Sequence, residues 1–240
     1  MNLGAFHNDP ELKFKYLDRL YQQRAAPEDV RFFISRESLG NPAFRIVYSH
    51  NSGHFERVLG IPQVIARLSD GICNQLSPGS AAVFPDNMLR AIRVGADLRL
   101  VWPELAIWLL AQIREMDGLP QSINLVAVRT SALFLQLLPE GRGDAAAGAG
   151  ATLRAEASEH MERVEAIQPA HPKFQQLLWA LKFMARSVWN PCANSAGLDA
   201  RCVPMRLSEI MPDTFPGQLE EQFLKLLRTS PHTTGIERMD

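Results

Sequence analysis

The sequence predicts a mainly α-helical fold, a compact multi-helix globular body with at most one short strand pair near residues 44–48. Three observations predict it. Apolar residues recur three and four positions apart through most of the chain, the period of a helix with one buried face. Proline, glycine and Asn, Asp or Ser residues stand at the ends of those runs, where helices start and stop. A content of 46% hydrophobic and 21% charged residues is that of a chain folded around a core.

The elements follow in order. Asn8 or Asp9 caps a first helix over 10–24, with Pro10 in its first turn and Leu12, Tyr16, Leu17 and Leu20 on one stripe. Pro27 opens a second helix carrying Val30, Phe33 and Ile34. Residues 40–53 break the pattern. Phe44, Ile46 and Tyr48 alternate with Arg45, Val47 and Ser49, which fits a short strand or an extended loop. The helical period returns at His54 and stops at Gly60, a C-terminal cap. Pro62 opens the next helix, over 62–76, and Pro78-Gly79 ends it. A short helix is expected over 86–92 behind Pro85, and a long apolar one over 98–116, with Asp97 as cap and Pro103 either starting or kinking it. Ser122 caps the run 123–138. Further helices cover 153–167, 172–189 and 216–228.

The expected organisation is a helical domain over 1–138 and a Gly/Ala-rich linker over 139–151. The C-terminal helices of 152–228 either pack on the first part or form a small subdomain. A mobile tail covers 229–240.

Charge and length exclude several classes. The 25 Lys and Arg balance 26 Asp and Glu for a net charge of -1, which argues against nucleic acid or an anionic membrane as partner. The most apolar stretch, 98–113, contains Arg99, Pro103 and Glu104 and falls short of the ~20 residues a membrane span needs. Three cysteines, Cys73, Cys192 and Cys202, are read as reduced thiols of a cytoplasmic protein, Cys73 buried and the other two on a loop.

The candidate chemistry gathers at His50, His54 and Glu56. Two imidazoles and a carboxylate within seven residues suit a divalent metal held by His50 and His54, or acid–base catalysis, with His7 joining from the N-terminus. The position after His50 is Asn51, where the helical zinc-protease motif has glutamate, and Gly53 interrupts a continuous helix. The plainer reading is a polar loop in which Asn51 or Ser52 caps the following helix. No other cofactor is expected. Gly141, Gly143 and Ala146 mimic a dinucleotide fingerprint without the strand it requires. Glu156, Glu159, His160, Glu162 and Glu165 read as a solvated helix face, and Trp102, Trp108, Trp179 and Trp189 as core. Two functions stand side by side: a protein-interaction module, or a hydrolase-like enzyme built on His50, His54 and Glu56. Whether the chain is an enzyme stays open.

Three segments also carry a resemblance. They are Phe6-His-Asn-Asp-Pro10 with Lys15-Tyr-Leu17, Gly60-Ile-Pro62 with Ala66-Arg-Leu68, and Gly95-Ala-Asp-Leu98 with Val101-Trp-Pro103. In that order the first 110 or so residues resemble a family of bacterial and phage proteins without an established activity. The family has a Gly- and Cys-containing stretch before its second segment, where this chain has residues 40–53 and no cysteine. The resemblance implies no functional residues.

Overall fold

The computed structural model describes residues 4–26, 41–138, 146–168, 171–189 and 193–232. Among them the protein is all-α, with no sheet. A 3-10 turn (Ala5–Asn8) leads into eleven α-helices: α1 (Pro10–Ala25), α2 (Pro42–Val47), α3 (Ser52–Leu59), α4 (Gln63–Cys73), α5 (Pro78–Ala91), α6 (Val101–Arg114), α7 (Gln121–Leu135), α8 (Ala146–Glu165), α9 (Pro172–Trp189), α10 (Ala193–Ser208) and α11 (Phe215–Thr229). The helix expected after Pro27 and the residue Cys192 lie outside the described residues, whereas Cys202, expected on a loop, lies within α10.

The punctuation acts as the sequence indicates at several ends. The Asp9 carboxylate accepts the Glu11 N–H at 2.8 Å, with Pro10 in the first turn of α1. Gly60 closes α3 at φ 64° and donates its N–H to the Glu56 carbonyl. Pro103 lies in the first turn of α6, where its missing N–H breaks no bond.

Three elements differ from expectation: α10, where the sequence predicts a loop, α2 and α5. Residues 44–48 are not a strand: 44–47 belong to α2 and Tyr48 caps it. The Asn41 side chain accepts the Phe44 N–H at 2.7 Å, Pro42 opens the helix, and Tyr48 ends it at φ 52°. Ala43, Ile46 and Val47 are its buried residues, three and four apart, so over six residues a helical stripe and an alternating one coincide. Helix α5 starts at Pro78, capped by Ser77, and runs through Pro85. A proline inside a helix deprives the carbonyl four residues earlier of its donor. That carbonyl, of Ala81, takes the Arg45 guanidinium at 3.2 Å and the Cys73 thiol at 3.8 Å.

The expected linker and tail are also ordered in part: helix α8 begins at Ala146, and residues 230–232 are tied to the Gly95 loop. Asp97 N–H donates to the Pro231 carbonyl at 2.7 Å, the Arg93 guanidinium donates to the Ser230 carbonyl, and Ala96 bridges His232.

A single core cluster joins the N- and C-terminal helices. Helix α10 packs most extensively on α4, and α9 lies against α7, α8 and α10. At the α4–α10 crossing, a Cβ on Gly71 would stand 2.4 Å from the Arg201 carbonyl oxygen, so glycine lets the backbones approach. Trp102 is core, edge-on to Phe134 at 5.8 Å and donating to the Ser187 hydroxyl at 3.1 Å. Trp179 is 42% exposed and lies outside the core. No helix is long and apolar enough to cross a membrane, among the described residues.

Candidate functional site

The segment carrying His50, His54 and Glu56 folds as the link between α2 and α3 and the first turns of α3. Asn51 caps α3 by accepting the Gly53 N–H at 2.9 Å. His50 is exposed, stacked on the Phe44 ring with centroids 4.2 Å apart. The Nδ1 of His54 accepts from the Arg57 guanidinium at 2.8 Å. Glu56 accepts the backbone N–H of Gln63 at 3.2 Å and so caps α4. His7 reaches the same helix, its Nε2–H donating to the Arg57 carbonyl at 3.0 Å. Each candidate therefore engages a different structural partner, and no bond joins His50, His54 and Glu56 to one another. Among the described residues, no three His, Cys, Asp or Glu side chains group as a metal site.

His7 belongs to a different construction. Phe6, His7 and Asn8 all have positive φ, at 57°, 51° and 63°, a left-handed turn that costs about 1–2 kcal/mol per residue. Surrounding bonds hold it in place. Ala5 N–H donates to the Ala96 carbonyl at 3.0 Å, Gly95 N–H donates to the Ala5 carbonyl at 2.8 Å, and the Phe6 ring is fully buried. Gly60 and Gly95, both at positive φ, face the turn, and a Cβ on either would meet Gly4 or Asn8 below 3 Å. The three segments around Phe6, Gly60 and Gly95 thus meet in one junction. Lys13 adds to it by donating to the Ile92 carbonyl at 2.6 Å beyond the end of α5, and burial beside Arg90 lowers its pKa.

Among the buried titratable side chains whose burial the sequence did not show are Asp70 and His160. Asp70, on α4, is 3% exposed and accepts the Ala43 N–H, while its Oδ1 has no hydrogen-bond partner among the described residues. Burial pushes its pKa up to about 7, outweighing the nearby Arg201 and Arg67 charges. His160 does not share the solvated face of α8. It points inward, and its Nε2 lies 2.8 Å from the Thr130 hydroxyl. That hydroxyl donates to the Val126 carbonyl, so it accepts from His160 and the ring proton sits on Nε2. Burial, with Arg129 and Arg163 nearby, lowers the His160 pKa to about 4. Glu159 on the same helix pairs with Arg163, and Glu156 accepts from Gln136.

Helix α7 shows where the surface departs from ordinary. Ile123, Val126, Ala127, Thr130, Leu133 and Phe134 are buried on its inner side. Its outer side is apolar as well: Leu125 is 50% exposed, Val128 40% and Leu135 51%, with Ala132 exposed between them. Their spacing of three, four and three is that of a seam between packed helices.

No family model, curated protein or solved structure matches this chain. The reading of function therefore rests on geometry. The sequence held one sign of the α7 surface, a helix with apolar residues on two opposite sides, which by itself reads as a core helix.

Proposed function

We propose that this protein is an interaction module that docks the apolar face of a partner helix on α7. One observation carries the reading: four exposed apolar positions, 125, 128, 132 and 135, form a continuous stripe at seam spacing on a rigid, internally packed helix. Helices recognise such a stripe through anchors spaced three and four apart. The polar groups of the α2–α3 link are engaged in capping and stacking, which favours docking over catalysis. We place the protein in the cytoplasm, with Cys73 and Cys202 as reduced thiols.

Selection of amphipathic helical peptides by display against the full chain tests the reading. Selected peptides are expected to bind in the micromolar range and to lose at least tenfold affinity against Val128→Glu, whose melting temperature should match the parent because the site is exposed. Peptides that bind Val128→Glu as well as the parent would overturn the assignment of α7.

A further inference from the structure

We infer that the cavity at the C-terminal ends of α5 and α11 is an anion site that takes the phosphoryl group of a small soluble ligand. It does not involve α7 and stands independently of the docking reading. The cavity holds about 380 Å³, within the range of small-molecule sites, and is lined by Asn87, Arg90, Ala91, Arg93 and Arg228. Three of these side chains are guanidiniums and none is a carboxylate. Ion pairing leaves most of that charge unmatched. Arg93 and Arg228 form no ion pair among the described residues. Arg90 donates its Nε–H to Asp86 at 2.8 Å, but Arg24 claims the same carboxylate at 3.3 Å. Glu220 accepts from the Asn87 amide without lining the cavity, and burial raises its pKa. Lys13, bound to the Arg90 and Ile92 carbonyls, brings one more cation, whose pKa is lowered first by burial and then by the Arg90 charge. The lining groups and those bonded to them thus set five cations, Lys13, Arg24, Arg90, Arg93 and Arg228, against two carboxylates, Asp86 and Glu220. The chain as a whole has a net charge of -1, so this cluster is a local excess.

A cation in the last turn of a helix complements the helix dipole, and Arg90 and Arg228 each hold such a position. That role does not account for the cluster, because other groups take the carbonyls at these ends. Lys13 donates to those of Arg90 and Ile92, and Arg93 donates to that of Ser230. The negative helix ends, which would repel an anion, are thereby answered. Arg228 and the remaining N–H groups of Arg90 and Arg93 are left without a protein acceptor among the described residues. Guanidinium forks match the oxygens of carboxylates and phosphates alike. Charge separates the two ligands. A carboxylate brings one negative charge and two oxygens, whereas a phosphoryl group carries about -1.5 to -2 and three strong acceptor oxygens. Three guanidiniums, two of them without any ion pair, match the second.

Titration calorimetry of the full chain with inorganic phosphate provides the test, at low ionic strength where exposed charges are least screened. The parent should bind one phosphate and prefer it to acetate. Arg228→Gln removes an exposed side chain that bonds to no described residue, so its melting temperature should match the parent. It should bind phosphate about tenfold more weakly, or worse. Arg228→Lys keeps the charge but loses the fork, and should fall between the two. Arg129→Gln removes another exposed arginine, from α7, and should leave the affinity unchanged. A parent that binds no phosphate, or binds acetate as tightly, would overturn the proposal. So would full affinity in Arg228→Gln, which would place the phosphate elsewhere. Equal losses in Arg228→Gln and Arg129→Gln would also overturn it, because the effect would then be one of overall charge.

Discussion

Replacing Asp70 with asparagine isolates the burial of one carboxyl. The native side chain is 3% exposed and its pKa rises from 3.8 to about 7. Between those values the folded protein holds a proton that the unfolded chain has lost. Stability therefore falls as pH rises through this window, by about 1.4 kcal/mol per pH unit and at most about 4 kcal/mol in all. Asparagine keeps the shape and never ionises. In urea denaturation from about pH 4 to about pH 8, Asp70→Asn should gain steadily on the parent and the difference should level off above about pH 7. A difference constant with pH would refute the reasoning. So would a variant that loses ground as pH rises, since that would mean Arg201 and Arg67 hold the carboxylate as an anion against its burial.

The parent by itself would conceal this effect. His160 has the opposite sense: its pKa falls from 6.5 to about 4, so across that range the unfolded chain holds the extra proton and stability rises with pH. The two slopes oppose each other over the shared window. Asp70→Asn removes one of them, and the variant should show a loss of stability on acidification from about pH 6.5 to about pH 4 that the parent lacks.

Three further outcomes are expected. Thr130→Val takes the acceptor from the buried His160 Nε2–H and should cost about 1–3 kcal/mol in chemical denaturation, with Thr130→Ser much closer to the parent. Gly71→Ala should lower stability by ~1–3 kcal/mol or more, despite a helix-propensity gain of ~1 kcal/mol, because the new methyl would stand 2.4 Å from the Arg201 carbonyl; a raised melting temperature would contradict that crossing. Arg186 forms a two-pronged ion pair with Asp199, whose side chain is 2% exposed against 40% for the arginine. Arg186→Ala strands a buried carboxylate, at about 3–5 kcal/mol, whereas Asp199→Ala leaves a cation that water can reach and should cost less; equal losses on thermal or urea unfolding would refute the asymmetry.

What the sequence disclosed was local. Asp9, Gly60 and Pro10 act within their own turns, and the positions they mark are the ones found. The misread elements depend on residues far along the chain. Pro85 looks like a helix breaker until Arg45, remote in sequence, and Cys73 of the preceding helix take up the carbonyl it frees. His160 looks like one more polar residue of a charged helix until Thr130 supplies a buried partner. Helix α2 is too short for its period to exclude a strand.

The surface of α7 was hidden for a related reason. Periodicity reports that a helix has an apolar side, but not which sides find neighbours. With apolar residues on two opposite sides, α7 matches a helix enclosed by neighbours, and only the packing shows that α6, α8 and α9 cover part of it. The remaining stripe then has a meaning that composition could not give, because its spacing matters only once those four positions are known to face outward together. The same logic separates α7 from the α2–α3 link. His50, His54 and Glu56 attract attention by residue type, yet each is bound to a stacking, ion–imidazole or capping partner nearby. Leu125, Val128 and Leu135 are unremarkable by type and are set apart by what the fold leaves uncovered.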